Sequence, residues 1–158
     1  MVGQAAEQAF RDSKSGSTRP REQSAWIYAR NGKIFVIRAK PGSAGRGYLS
    51  NPPQPRGALL VGTFHTHPVV MDAQFGFLYG GGPEPSDSSL GFSNDVDNAF
   101  RSGVPGITVA EVNGRLKLTP YGPDRGGSDP ARAWDPKGPY GYLIRGYPGN
   151  TADTTACQ

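Results

Sequence analysis

The chain has 158 residues, a net charge of +4 and a pI near 9.4, and only 35% of its residues are hydrophobic. This length suits one domain with a core of moderate size, and no apolar run is long enough to cross a bilayer. The single cysteine, Cys157, excludes an intrachain disulfide. The Lys and Arg residues are scattered without interleaved aromatics, which argues against a nucleic-acid groove and in favour of a solvated basic surface.

The first half of the chain predicts a short helix and three strands. Residues 4–11 are rich in Ala, Glu and Gln, which favours a helix. Two apolar strand candidates, 24–29 and 33–38, flank Asn31-Gly32, a dipeptide that readily takes the positive φ angles of a tight hairpin turn. After a long loop over residues 41–57, the apolar run that ends at Phe64 predicts a third strand.

The second half predicts an irregular segment, a helix and a second hairpin. Residues 69–90 contain a run of glycines, and their hydrophobic residues show no clear periodicity. A helix is expected from Ser93, a plausible N-cap, to Arg101, and Gly103 and Pro105 should end it. Strands over 106–112 and 115–119 flank Asn113-Gly114. We therefore expect a single α+β domain over 1–158, with a mixed, curved sheet, helices packed against it, a core over about 4–119 and a Gly/Pro-rich extension over 120–158.

The two histidines of the chain are separated by one residue at the end of the third strand. They belong to the sequence His65-Thr66-His67-Pro68. Residues i and i+2 of a strand point to the same face, so both imidazoles should project side by side, within reach of one metal ion. Proline cannot extend a central strand, so Pro68 should end the strand beside the pair. This pattern fits a zinc or similar site better than two ordinary histidines on a half-exposed strand.

A catalytic zinc site usually has three protein ligands and one open position. Because the chain has no third histidine and no usable cysteine, the third ligand should be a carboxylate on a nearby element. Asp95, at the start of the predicted helix, is the first choice. The alternatives are Asp97, Asp87, Glu84 and Asp72.

These residues, taken in order, resemble a known family. A Glu before an aromatic-rich hairpin, then His-Thr-His-Pro, then a Ser/Asp segment that opens a helix, is similar to the pattern of the JAMM (JAB/MPN+) metallopeptidases. The closer resemblance is to the JAB-like domains at the C-termini of Rhs and related polymorphic toxins, where a short Ala-rich helix precedes the Glu. It covers about residues 4–119. In this chain one residue fewer separates Ser93 from Asp95 than in the family's SxxD motif.

The resemblance implies a JAB/MPN-like (cytidine-deaminase-like) fold and a role for each residue. His65, His67 and Asp95 would hold Zn²⁺, Glu22 would be the general base, and Ser93 would donate a hydrogen bond to the developing oxyanion. It also implies a protein or peptide substrate, a parent Rhs-type delivery protein and a cognate immunity protein. The chain has no signal peptide of its own, so we expect an effector that its parent delivers and that acts in the cytoplasm of the target cell.

Three other functions are weighed against this hypothesis. A non-catalytic MPN-like binding module is one alternative, although such members usually lose several ligands. A toxin with nuclease activity is compatible with the basic pI but has no recognisable motif here. A nucleobase deaminase would need HxE or CxE and a later PCxxC, which this chain lacks.

Overall fold

The structure is a computed structural model that describes residues 2–14, 20–43, 46–71, 78–80, 82 and 95–122. The elements in chain order are α1 (Val2–Lys14), β1 (Ser24–Arg30), β2 (Lys33–Arg38), β3 (Leu59–Thr66), β4 (Val69–Met71), β5 (Leu78–Gly80), α2 (Asp95–Ser102), β6 (Gly106–Val112) and β7 (Arg115–Tyr121). The fold is α+β, as predicted, with five strands in the order β2-β1-β3-β6-β7. Strands β3 and β6 are parallel and the other neighbours are antiparallel.

Both predicted Asn-Gly hairpins are present. Asn31 and Gly32 have φ angles of 50° and 71°, and Asn113 and Gly114 have φ angles of 52° and 75°. Positive φ at both central residues is the requirement of a type I′ turn, whose twist matches that of the flanking strands. The local turn chemistry therefore set the pairing of β1 with β2 and of β6 with β7.

Helix α1 covers one face of the sheet. Its buried residues, at helical spacing, are Val2, Ala6, Ala9, Phe10 and Ser13. These helix residues pack against residues of four strands, and the two sets form the main core. The strand residues are Ala25, Ile27, Phe64, Ile107, Val109 and Leu118. Because side chains alternate along a strand, the neighbouring residues of the same strands face the other side of the sheet. That opposite face carries His65.

Helix α2 belongs to the connection between the parallel strands β3 and β6. Such strands require a crossover, and a helix that returns along the sheet begins near the end of the strand that precedes it. The helix therefore begins, at Asp95, near the end of β3 where the histidines lie. It ends before Gly103, which has a φ of 69°, as the sequence predicts.

Two sequence predictions need correction. Residues 69–90 are not wholly irregular, because β4 and β5 pair as a short antiparallel ladder from Val69↔Gly80 to Met71↔Leu78. The core also extends beyond residue 119, because β7 runs through Pro120 to Tyr121. Proline is tolerated there because β7 is an edge strand of the sheet.

Candidate metal centre

His65, His67 and Asp95 meet at the end of β3. The Nε2 atoms of the two histidines are 2.8 Å apart. Oδ2 of Asp95 lies 3.2 Å from Nε2 of His65 and 3.6 Å from Nε2 of His67. One ligand atom from each residue lies within 4.8 Å of the others, so this cluster could hold a metal ion.

The spacing of the three ligand atoms fits a small tetrahedral cation. Two ligands at about 2.0–2.1 Å from zinc lie about 3.3 Å apart at tetrahedral angles. The three observed distances between the ligand atoms, 2.8, 3.2 and 3.6 Å, lie on both sides of that value. Two imidazole nitrogens and one carboxylate oxygen are also a donor set that zinc and similar transition metals accept.

The outer nitrogen of each imidazole has a hydrogen-bond partner. Nδ1 of His67 lies 2.9 Å from the carbonyl oxygen of Gly82, and Nδ1 of His65 lies 3.3 Å from the hydroxyl of Tyr121. Both rings therefore turn Nε2 toward Asp95 and Nδ1 away from it. A metal-binding histidine is commonly held in this manner through its second ring nitrogen.

Glu22 lies beside this cluster because the start of β1 pairs with the end of β3. Ser24 is the register partner of His65, and continuation of that register brings Glu22 opposite His67. The backbone N–H and the hydroxyl of Thr66 are bonded to Gln23, at 2.9 Å each, and fix the alignment. Backbone bonds to Ser43 and Gly42 hold Glu22 on its other side.

The carboxyl group of Glu22 has a raised pKa. Burial is the largest cause, the two histidines partly oppose it, and the negative charge of Asp95 adds to it. A backbone N–H of Gly47 donates a hydrogen bond to the carboxylate and acts in the opposite direction. A carboxylate whose pKa is raised is a stronger proton acceptor than an exposed one, and this suits a general base.

The charges of the cluster also act on its two buried aromatic groups. Burial alone would lower the pKa of His65, but Asp95 and Glu22 outweigh it and leave that pKa raised. Burial, with Asp95 and Glu22 nearby, raises the pKa of Tyr121 well above 10. The hydroxyl of Tyr121 therefore keeps its proton at neutral pH.

Four of the five predicted site residues are described. The structure brings His65, His67 and Asp95 together and gives Glu22 electrostatic contact with all three. Ser93 lies outside the described residues, as do the alternative ligands Asp72, Glu84 and Asp87 and the side chain of Asp97. Among the described residues, the first-choice carboxylate, Asp95, lies beside the histidines.

Sequence analysis missed three residues that contact the cluster: Gly47, Ser24 and Tyr121. A Cβ atom at Gly47 would lie 3.3 Å from Oε2 of Glu22, 3.6 Å from Cβ of His65 and 2.2 Å from Oγ of Ser24. The loop before β3 therefore packs against the cluster through a residue that has no side chain. The Ser24 hydroxyl is fully buried and has no hydrogen-bond partner among the described residues. No local sequence signal marks these contacts, which join distant segments.

Gly47→Ala should destabilise the protein by about 1–3 kcal/mol, because the added methyl group overlaps the Ser24 hydroxyl and either Ser24 or the loop must shift. Urea unfolding measures this. Ser24→Ala alone should be close to neutral, since it removes a buried hydroxyl without a described partner. In the double variant, Ser24→Ala should restore part of the unfolding free energy that Gly47→Ala removes. The restored part is the coupling energy between the two positions. Strict additivity of the two changes would contradict the contact.

Within the described part of the chain, no helix is long and apolar enough to span a membrane. Compared with models of known protein families, with curated proteins and with solved structures, the chain matches none.

Proposed function

We propose that this chain is a zinc-dependent peptidase or isopeptidase-like domain of the JAMM type that serves as the toxin domain of an Rhs-type protein. The observation that carries the proposal is the cluster of His65, His67 and Asp95 with Glu22 beside it. The element order supports a JAB/MPN-like fold for it: a helix, a hairpin, a strand that ends in the histidines, and a helix that begins at the aspartate.

Zinc suits hydrolysis at this cluster. When bound, zinc lowers the pKa of a coordinated water and polarises a carbonyl group. The role of the protein is to orient its two imidazoles and one carboxylate while leaving one position open. The hydrogen bonds of both Nδ1 atoms orient the imidazoles in this manner.

Glu22 would supply the proton transfer. Its carboxylate interacts electrostatically with the two histidines and Asp95. The Gly47 N–H and the backbone bonds to residues 42 and 43 hold Glu22 in place. A carboxylate in this position can take a proton from the attacking water and pass it to the leaving amine. The raised pKa of Glu22 favours the first of these transfers, because it makes the carboxylate a stronger proton acceptor than an exposed acid.

The biological part of the proposal rests on the resemblance to Rhs-associated domains. The proposed substrate is a protein or peptide in the cytoplasm of the target cell, and an immunity protein would protect the producing cell. The ligand set favours this catalytic function over a non-catalytic MPN-like module, which has no requirement for two oriented histidines, a carboxylate ligand and a buried glutamate together.

Expression in a bacterial cytoplasm tests the proposed function. The wild-type chain should arrest growth, and His65→Ala with His67→Ala should abolish the arrest because two of the three metal ligands are lost. Growth curves under a titratable promoter measure the effect, with equal protein levels verified in both strains. Equal growth of the two strains would favour the binding module. Toxicity that survives the double substitution would indicate another mechanism, such as nuclease activity.

A further inference from the structure

Tyr121 joins the edge of the sheet to the candidate metal centre. It is the last residue of β7, and its ring is buried at 3% exposure. The hydroxyl lies 3.3 Å from Nδ1 of His65, and the two rings meet edge to face with their centroids 6.1 Å apart. The ring also packs against Ala99 of α2, the helix that begins with Asp95. Tyr121 therefore contacts one ligand directly and the helix that carries another.

A glycine in the neighbouring strand gives this ring its position. Gly106 is the register partner of Tyr121. A Cβ at Gly106 would lie 2.1 Å from the ring carbon that bears the hydroxyl and 2.3 Å from the hydroxyl oxygen. Any larger residue at position 106 would force the ring away. The ring can thus lie across β6 and reach His65 on β3 only because position 106 has no side chain.

We propose that Tyr121 is a positioning residue that holds the His65 ring with its Nε2 atom toward Asp95 and His67. This inference rests on the proposed function, because it assigns Tyr121 a part in metal binding. The physical reason is that the His65 ring is buried, at 3% exposure, so its Nδ1 atom needs a partner within the protein. A buried polar atom that loses its hydrogen bond is not compensated by bulk water.

A hydroxyl suits this task because it both donates and accepts. In the metal-free cluster, Nε2–H of His65 can donate to Asp95 at 3.2 Å, and the Tyr121 O–H then donates to Nδ1. When Nε2 is a ligand, the ring proton is on Nδ1 and donates to the Tyr121 oxygen. Rotation of one hydroxyl therefore keeps His65 bonded in both states, and the ring need not move.

The test compares two tyrosine-to-phenylalanine substitutions. Tyr121→Phe keeps the ring over Gly106 and removes the bond to His65. Tyr28→Phe is the matched control, because its buried hydroxyl bonds the carbonyl of Pro53 and no cluster residue. Zinc affinity, measured by competition with a chromogenic chelator, should fall by about 10–100-fold in Tyr121→Phe, as is typical for loss of such a partner. It should stay unchanged in Tyr28→Phe.

Two further measurements separate positioning from packing. Nitrogen-15 NMR of the metal-free protein should show Nδ1 of His65 as a hydrogen-bond acceptor, and in Tyr121→Phe that resonance should move to the position of an unbonded imidazole nitrogen. Gly106→Ala, which keeps the hydroxyl but displaces the ring, should also weaken zinc binding. Unfolding temperatures of all variants show whether each is folded at the assay temperature.

The outcomes for the two proposals are distinct. Absence of zinc binding by the wild-type protein would overturn the proposed function, whereas the Nδ1 resonance of His65 would still test Tyr121. A zinc affinity and an Nδ1 resonance in Tyr121→Phe that match those of Tyr28→Phe would overturn the positioning role, whatever the function of the metal.

Discussion

Replacing His65 and His67 together with alanine should remove bound zinc from the protein. Wild-type protein prepared without chelator should contain about one equivalent of zinc, as expected for a three-ligand site. The double variant should fall to background, because the remaining ligand, Asp95, offers a single carboxylate and the Nε2 atoms that face it are gone. Elemental analysis of protein after gel filtration measures the difference.

The control for this experiment is a carboxylate on the other face of the sheet, where helix α1 lies. Glu111→Gln changes an exposed acid that pairs with Lys14 at 2.8 Å, and it should retain full zinc content. Asp95→Asn should give an intermediate loss, since both histidines remain. Zinc in the double variant at the wild-type level would locate the site elsewhere. Iron in place of zinc would keep the same ligands but favour oxidative chemistry, for which two histidines and one carboxylate are also a known set.

The sequence predicted those parts of the fold that depend on local chemistry. Asn31-Gly32 and Asn113-Gly114 fixed two hairpins because few other residue pairs take two successive positive φ angles. The alternation of side chains along β3 placed both imidazoles on one face. Asp95 was the first choice because it stands at the start of the helix predicted after the strand of the histidines. In each case a short stretch of chain determines the geometry.

The missed features depend on contacts between distant segments. Tyr121 lies outside the predicted core because the Gly/Pro-rich extension was expected to begin at Pro120. Strand β7 includes that proline, which its position at the sheet edge permits. Gly47 is one of many loop glycines in the sequence. Its importance comes from the approach of that loop to Ser24 and Glu22. Strands β4 and β5 pair through only three residues of each strand, which are too few to show the hydrophobic alternation of a strand in the sequence.

Glu22→Gln should leave zinc content unchanged and reduce activity by about 10²–10⁴-fold, the usual cost of losing a general base. The substitution keeps the size of the side chain and an oxygen that can accept the hydrogen bond from Gly47. An amide, however, cannot take a proton from water. The readouts are zinc content and the expression level needed for growth arrest. Glu111→Gln is the matched control, because it makes the same chemical change at an exposed position.

The result separates three roles for the buried carboxylate. Loss of zinc together with activity would make Glu22 a ligand instead of a base. Unchanged activity with zinc retained would remove Glu22 from the mechanism and leave it a structural acid between two strands. Only retained zinc with lost activity fits a carboxylate that burial has made a better proton acceptor and that interacts electrostatically with the histidines and Asp95. That outcome is the one that the hydrolytic function requires, because a metal site without a base beside it would bind a substrate but cleave it slowly.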